Sequence, residues 1–319
     1  MAAWYERRFK VSLSPNQELL PLNGARVGLA SIPMLVTDPG DVVLVPDPGY
    51  PLYAVAARFA GARPVAIPLR SDGGFLPDLA AIPAAVADRS RLLYLNYPNS
   101  PTGAIASASF YHEVVAFAKR HDLVVCQDMS FAGVAFDGYR ALSFLEIPGA
   151  IEVGIEIHSL AIAFNMAGYG VGVLLGNRQV VAAMGQVQAT LGAPLPEPIQ
   201  RVARAAFEAT PPDWFQERDE IYRRRRDLVV RTLAQVGLVA ELPKATPSVW
   251  ASLPAGQTAE EYATGLLKDC GVWVLPGSRF GAGGEGYVRV SLTVPDDPLR
   301  EAMRRIAARP AGIPFAPPG

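Results

Sequence analysis

Tyrosine, asparagine and aspartate side chains follow three apolar runs of the sequence, at the points where short strands would end. Tyr50 lies in a Pro- and Gly-rich turn after Val42–Val45, and Asn96 and Asp128 follow two further runs. In open α/β sheets, ligands bind at the edge formed by the carboxyl ends of the strands. The pattern therefore predicts a ligand site. Structural roles stay open for each residue: a packed tyrosine, a fixed loop, and an N-cap at Asp128.

Those side chains must be positioned by elements that alternate along the first two thirds of the chain. The predicted strands are Val42–Val45, Pro64–Ile67, Leu92–Asn96, Leu123–Gln127, Glu152–His158 and Val171–Leu175. The predicted helices are Ala25–Leu35, Leu52–Ala60 and Ser107–Arg120. Apolar, β-branched strands separated by helices are typical of a mainly parallel, doubly wound α/β sheet that is buried on both faces.

The pattern changes after Pro211. A long helix is predicted over Asp213–Val236, followed by strands around Ser248–Leu253, Val272–Leu275 and Tyr287–Leu292 and a helix at Ala259–Cys270. We therefore expect a large domain over 1–212, a connecting helix over 213–236 and a smaller C-terminal α+β domain over 237–319. The Pro-rich end from Arg309 onward is predicted to be irregular.

Four consecutive arginines, Arg223–Arg226, stand in the long helix. We interpret them as a solvated helix face. A phosphate or nucleic-acid site is the weaker alternative, because one short basic run without interleaved aromatic residues carries little information.

Composition limits the classes of protein that fit. The chain has 319 residues, of which 50% are hydrophobic and 18% charged, and a net charge of -1. These values predict a globular protein and favour neither nucleic acid nor a membrane as a partner. No signal peptide or membrane-spanning run is evident, so a soluble cytoplasmic protein is expected. Cys126 and Cys270 lack metal-ligand spacing, and Cys126 is expected to be a buried core residue.

A fourth stretch, E-I-H-S-L-A-I-A-F-N-M-A-G-Y-G-V-G, covers Glu156–Gly172. Together with the three motifs before it, and with V-L-P-G-S-R-F-G (Val274–Gly281) and G-Y-V-R-V-S-L (Gly286–Leu292), it resembles the class I/II aminotransferase family of fold type I. The likeness is strongest to the diaminopimelate and alanine-type members and covers essentially the whole chain. It implies pyridoxal 5'-phosphate as cofactor and an amino acid and a 2-oxo acid as substrates.

The resemblance also implies roles for individual residues. Tyr50 matches the aromatic residue that stacks on the coenzyme ring, and Asp128 matches the aspartate that keeps the ring nitrogen protonated. Without the coenzyme, Asp128 is expected to be partly buried and unpaired, with a raised pKa. Gly24, Ala25 and Ser159 match the positions that bind the coenzyme phosphate. Arg289 matches the arginine that binds the substrate α-carboxylate.

The sequence departs from the family pattern at the positions that matter most for chemistry. Ile162 occupies the position of the lysine that forms a Schiff base with the coenzyme and then moves the substrate proton. Gly170, Phe131 and Ser100 stand where an arginine, a tyrosine and an asparagine are expected, and Ala161 and Ala163 replace neighbouring hydroxyl residues. The only lysines are Lys10, Lys119, Lys244 and Lys268. By its position in the sequence, none of them fits the missing role.

The N-terminus differs as well. W-Y-E-R-R-F (Trp4–Phe9) resembles a segment that lies some tens of residues into family members. We therefore expect the N-terminal arm, with a tyrosine that reaches across the dimer, to be missing from this sequence. Apolar surface should then be uncovered, which favours a homodimer or a partner chain.

These observations lead to one functional expectation and two alternatives. We expect an aminotransferase-fold protein with a degenerate site that is not catalytically competent alone. The first alternative is an enzyme that uses pyridoxal phosphate non-covalently or is completed by a partner chain. The second is a module that binds an amino acid or a phosphorylated metabolite through Arg289 and the Gly24 turn.

Overall fold

The computed structural model of the chain describes residues 1–191 and 194–309, so the predicted irregular end at 310–319 lies outside the described residues. Seven strands form the larger sheet: Leu19–Asn23 (β1), Val42–Asp47 (β2), Arg63–Pro68 (β3), Ser90–Asn96 (β4), Val124–Asp128 (β5), Gly154–Ser159 (β6) and Val171–Gly176 (β7). Their order is β1-β7-β6-β5-β4-β2-β3. Strand β7 is antiparallel to both its neighbours, and the strands from β6 to β3 are parallel. The predicted mainly parallel α/β sheet is confirmed.

Twelve α-helices accompany the sheets in the described residues. They are Ala2–Phe9 (α1), Ala25–Val36 (α2), Leu52–Phe59 (α3), Ala84–Ala87 (α4), Ala108–His121 (α5), Ala150–Val153 (α6), Leu160–Ala163 (α7), Arg178–Leu191 (α8), Glu197–Ala209 (α9), Pro212–Gln235 (α10), Ala259–Cys270 (α11) and Asp296–Ala307 (α12). Local signals set their ends. At α5 the Ser107 hydroxyl accepts a hydrogen bond from the Phe110 N–H at 3.2 Å, and Asp122 closes the helix with a φ of 50°.

Both faces of the larger sheet are buried, because successive residues of its central strands enter different cores. In β4, Leu93 and Leu95 pack into the core that contains α1 and α5 residues. Leu92 and Tyr94 point to the opposite face and pack with residues of α2 and α3. Cys126 is 0% exposed in this second core, as expected.

A second sheet of three antiparallel strands follows in the chain: Ser248–Ser252 (β8), Leu275–Pro276 (β9) and Tyr287–Ser291 (β10), in the order β8-β10-β9. Residues of α10, α11 and α12 pack with it into one apolar core. The prediction of a strand at Val272–Leu275 is wrong at its start. Val272 and Val274 are buried core residues, and pairing to β10 covers only Leu275 and Pro276. The domain limits at 212 and 236 stay a prediction.

Two further predictions need correction. Glu152 does not begin a strand, because it lies in the short helix α6, and β6 begins at Gly154. The arginine run is not a uniformly solvated face. Arg226 is 1% exposed, and its Nη1 lies 2.6 Å from Asp137 Oδ2 and 3.0 Å from the Pro243 carbonyl oxygen. Its guanidinium carbon also lies 4.8 Å from the centre of the Phe136 ring, so it is a buried structural cation.

Arg225, next to it, donates to Asp296 at 2.6 Å and to the Leu292 carbonyl at 3.0 Å. These bonds tie α10 to the start of α12 and to the end of β10.

Within the described ranges, no helix is both long and apolar enough to cross a membrane.

Candidate active site

One cavity of about 750 Å³ lies where the larger sheet meets the smaller one. The candidate coenzyme, substrate and lysine positions all line it: Gly24, Ala25, Tyr50, Ser100, Asp128, Phe131, Ser159, Ile162 and Arg289. The topology explains this convergence. Strands β1, β2, β4, β5 and β6 end at the same edge of the sheet, and the reversed strand β7 begins there. Arg289 comes from β10 of the smaller sheet and closes the opposite wall.

The N-terminus of α2 forms one end of the cavity. Gly24 precedes the helix with a φ of 94°, a conformation that favours glycine, and no side chain caps the first turn. Gly172 of β7 approaches so closely that an added Cβ would collide with the Ala25 backbone. The uncapped N–H groups and the helix dipole make this turn suitable for an anion. Arg26 also lines the cavity here, a residue that sequence reasoning missed although it follows Ala25 directly.

Asp128 lies on the floor of the cavity, 4% exposed. Its Oδ2 accepts a hydrogen bond from the Tyr53 hydroxyl at 2.8 Å. Its Oδ1 accepts bonds from the Ser130 N–H at 2.9 Å and the Ser130 hydroxyl at 2.5 Å. Asp128 therefore combines the two roles predicted for it, because its carboxylate lines the cavity and also caps the turn at Ser130. The prediction that Asp128 would be unpaired without a ligand is wrong.

Burial dominates the electrostatics of this carboxyl group. Removal from water disfavours the charged form and raises the pKa of Asp128, while the bonds from Ser130 and Tyr53 work in the opposite direction. A carboxylate has about four acceptor positions, so these three bonds leave room for one more donor. A protonated ring nitrogen or an ammonium group would satisfy that position.

Aromatic rings hold the carboxylate and the neighbouring wall in place. Tyr50 is half-buried and meets Tyr53 edge-on, with ring centres 5.6 Å apart. Tyr53 stacks on Tyr94 at 4.5 Å, and the Tyr94 hydroxyl bonds the Leu29 carbonyl at 2.6 Å. Sequence reasoning missed Tyr53, which looks like an ordinary core aromatic in α3. Its spacing of three residues from Tyr50, one helical turn, was the available signal.

Ile162 lies half-buried on the short helix α7 and faces the same cavity. The Ser159 hydroxyl begins this helix by accepting a bond from the Ala161 N–H at 3.2 Å. Arg218 of α10 donates to the Ala163 carbonyl at its end. Among the described residues that line the cavity there is no lysine. Gly170 and Phe131 also line it and bring neither a charge nor a hydroxyl.

Arg289 reaches the cavity from β10 with an incomplete set of partners. Its Nη1 donates to the Ser100 hydroxyl at a long 3.3 Å, and its guanidinium carbon lies 5.1 Å from the centre of the Phe280 ring. Its Nε is buried without a hydrogen-bond partner. Desolvation lowers the pKa of Arg289 without removing its charge at neutral pH. A buried donor left unpaired costs free energy, so a carboxylate ligand would satisfy this group.

The two walls are bonded to each other beside the cavity. The turn that carries Tyr50 accepts a bond at Asp47 Oδ1 from the Gly283 N–H at 2.8 Å. In the reverse direction, the Gly49 N–H donates to the Phe280 carbonyl at 2.7 Å. The position of Tyr50 therefore depends on the loop of the smaller sheet that carries Phe280.

The fold and this cavity together define an aminotransferase-type α/β protein. The chain belongs to the aminotransferase class I and II family, whose model matches residues 1–306. It is 47% identical over 306 residues to an LL-diaminopimelate aminotransferase of Desulforudis audaxviator, covering 96% of this chain and 78% of the relative. It is 44% identical over 307 residues to the enzyme of the same name from Dehalococcoides mccartyi, covering 96% and 79%.

Solved structures agree with this membership. Substrate-bound BacF from Bacillus subtilis superposes with a TM-score of 0.92 at 35% identity, covering 96% of this chain and 78% of the other. A probable N-succinyldiaminopimelate aminotransferase from Thermus thermophilus gives 0.91 at 36% identity, covering 96% and 82%.

The family implies pyridoxal phosphate, and the cavity fits it in part. Asp128 has an acceptor position free for the ring nitrogen, Tyr50 offers a ring face, and the turn at Gly24 suits the phosphate. None of the described residues that line the cavity is a lysine, so the lining offers no amine for a covalent bond to the coenzyme. The residues present therefore suit a coenzyme that is held by non-covalent contacts alone.

Proposed function

We propose that this chain binds an amino acid or 2-oxo acid, with pyridoxal phosphate held non-covalently, and does not catalyse transamination on its own. The observation that carries the proposal is that Ile162 lines the cavity and that no lysine is among its described lining residues. The resemblance assigns the family's lysine to the position of Ile162. Without that amine, nothing at this point can form the Schiff base or move the substrate proton.

The retained residues support binding. Asp128 would hold a proton at the ring nitrogen, and the first turn of α2 would accept the phosphate together with the Ser159 hydroxyl. Arg289 would hold the α-carboxylate through its fork of donors. When bound, the coenzyme supplies an electron sink. These residues orient and bind, whereas the group that would transfer a proton is the one replaced.

A second candidate is an active site completed by another chain, and exposed apolar side chains on two neighbouring helices favour it. On α2, Val27 and Met34 are 58% and 50% exposed, and on α3, Phe59 is 84% exposed. Large exposed apolar side chains on adjacent helices are typical of an interface. A homodimer is the assembly we propose.

A trapping experiment tests the proposal. The protein is incubated with pyridoxal phosphate, reduced with borohydride and analysed by peptide mass mapping, while equilibrium dialysis measures the coenzyme bound before reduction. We expect binding in dialysis and no coenzyme adduct at a specific lysine. The Asp128→Ala variant should bind less coenzyme. An adduct on one defined lysine would disprove the non-covalent proposal, and no binding at all would disprove a coenzyme site.

A further inference from the structure

Two neighbouring segments of the larger sheet's edge carry Phe131 and Ile162 into the cavity. The turn at 129–134, called the Phe131 turn below, follows β5, and α7 follows β6, which pairs with β5 in parallel. The two segments approach closely at Gly133. A Cβ added to Gly133 would lie 2.5 Å from the Cβ and 2.7 Å from the Cα of Ala163. The distance between the two backbones at this point therefore determines how far apart Phe131 and Ile162 stand.

Arg218 of α10 bonds both segments at this contact. Its Nη2 donates to the Gly133 carbonyl, and its Nη1 donates to the Ala163 carbonyl at the end of α7. A guanidinium presents its donors in a rigid planar fork, so the two carbonyl groups are held at one separation. Arg218 is 8% exposed and is not among the described residues that line the cavity. It can therefore act on a ligand only through the backbone that it holds.

The Arg218 guanidinium is itself fixed by its neighbours on α10. Its Nε and Nη2 donate to Asp219 Oδ1 at 3.0 Å and 2.6 Å. Its central carbon lies 5.4 Å from the centre of the Trp214 ring and 5.3 Å from the centre of the Phe215 ring. Contacts between a cation and an aromatic ring are stronger when both are removed from water. The fork is therefore held in one orientation by a carboxylate and two rings.

A second arginine holds only one of the two segments. Arg8 of α1 donates from Nη2 to the Ala132 carbonyl of the Phe131 turn at 3.2 Å. It fixes the turn, but no hydrogen bond joins it to α7 within the described residues. The bridge between the turn and α7 is thus the one that Arg218 makes.

We infer that Arg218 is a positioning residue of the cavity, which sets ligand affinity by fixing the spacing between the Phe131 turn and α7. Its helix is also tied to the end of β10 through the bond from Arg225 to the Leu292 carbonyl. The long helix therefore holds both sides of the site, and Arg218 is its contact with the side formed by the larger sheet. This inference rests on the proposed non-covalent binding of pyridoxal phosphate, and it adds a residue outside the cavity that shapes the site.

Equilibrium dialysis of the full chain against pyridoxamine phosphate tests this inference. This compound has an amine in place of the aldehyde of pyridoxal phosphate, so no lysine can bond to it covalently. We expect Arg218→Gln to bind it about three- to tenfold more weakly, as for residues that are coupled within one packed network. Arg218→Lys keeps the positive charge and loses the planar fork, so it should recover only part of the affinity.

A matched control separates positioning from stability. Arg226→Gln removes another buried arginine of α10, whose bonds go to Asp137 and Pro243, and neither of these residues lines the cavity. We expect this variant to melt at a lower temperature than the wild type and to keep its affinity for pyridoxamine phosphate. Equal losses of affinity in the Arg218→Gln and Arg226→Gln variants, or normal affinity in Arg218→Gln, would overturn the role of Arg218.

A further variant leaves Arg218 in place and keeps the inference testable if Arg218→Gln does not fold. Gly133→Ala adds the Cβ that collides with Ala163, so the Phe131 turn and α7 must move apart. We expect it to weaken pyridoxamine phosphate by a similar factor, and normal affinity would contradict the inference. If the wild type binds neither pyridoxamine phosphate nor pyridoxal phosphate, the proposed function fails, and this inference fails with it.

Discussion

Tyr53 and Asp128, 75 positions apart in the chain, are joined by a hydrogen bond of 2.8 Å at the floor of the cavity. The tyrosine is held in turn by stacking on Tyr94. A carboxylate that accepts bonds from fixed donors keeps one orientation, and Asp128 is held in this way where it lines the cavity. This bond supports the proposal that the cavity binds a ligand.

The buried carboxyl group of Asp128 should affect how the unfolding free energy depends on pH. Burial raises the pKa of Asp128 above its unfolded value of about 3.9. Between these two pKa values the folded chain binds more protons than the unfolded chain, so the group's contribution to the unfolding free energy falls as pH rises. We expect the Asp128→Asn variant to gain stability relative to the wild type from about pH 4 upward.

Denaturant unfolding of both proteins at a series of pH values measures this difference. Tyr53→Phe serves as a companion, because it removes one donor and leaves the carboxyl group in place. Parallel stability curves for wild type and Asp128→Asn would show that the carboxyl group is not penalised by burial.

Restoring the lysine alone should not restore transamination. In Ile162→Lys the amine has no arginine at Gly170, no tyrosine at Phe131 and no asparagine at Ser100 to hold the coenzyme in register. A misplacement of about 1 Å can cost roughly a hundredfold in rate. We expect negligible half-reaction with alanine or glutamate, measured by absorbance. Ile162→Met is the matched apolar control, and an ordinary enzymatic rate for the lone lysine variant would contradict our proposal that the site is degenerate.

The combined variant should behave differently. Ile162→Lys, Gly170→Arg, Phe131→Tyr and Ser100→Asn together should raise coenzyme affinity by more than the separate changes predict, because residues in one network couple. Equilibrium dialysis of the combined variant and the four single variants measures the coupling. A purely additive result would mean that the four positions act independently.

We expect the buried Arg226 of the long helix α10 to contribute more to the unfolding free energy than Arg223 of the same helix. Replacing Arg226 with Gln removes bonds to Asp137 and Pro243 and leaves a poorly filled space over Phe136. We expect a loss of about 2–3 kcal/mol in unfolding free energy, as for charged hydrogen bonds. Arg223→Gln is the control, since its pairs with Glu220 and Asp227 are exposed and worth less than about 1 kcal/mol. Equal losses in the two variants would restore the interpretation of a solvated face.

The exposed apolar side chains of α2 and α3 should govern self-association. We expect the wild type to form dimers in light scattering and Phe59→Asp to shift the population toward monomer, because a charge at this position cannot be buried without a partner. Val239→Asp changes a residue that is 71% exposed in another part of the surface and should leave association unaltered. A wild-type protein that is monomeric and melts sharply would contradict the proposed homodimer.

Much of the larger sheet could be predicted because its strands are short apolar runs buried on both faces. Strand β1 was missed, since Pro21 interrupts its pattern, and the structure places this strand at the edge of the sheet. The site residues at the strand ends followed from topology, whereas Arg289 needed the family resemblance. Tyr53 and Arg279 were missed for opposite reasons. One resembles a core aromatic and the other a surface charge, and only the folded positions reveal that both line the cavity.

The hydrogen bonds from Gly283 to Asp47 and from Gly49 to Phe280 join the larger sheet to the smaller sheet beside the cavity. A ligand in the cavity contacts residues of both sheets, so it binds the folded chain and has little affinity for the unfolded one. At a concentration one hundred times its dissociation constant, it would raise the unfolding free energy by about 2.7 kcal/mol. The melting temperature would then rise with the concentration of the ligand, although the protein converts none of it. In a cell, where unfolded chains are degraded, the abundance of such a protein would follow the concentration of its ligand.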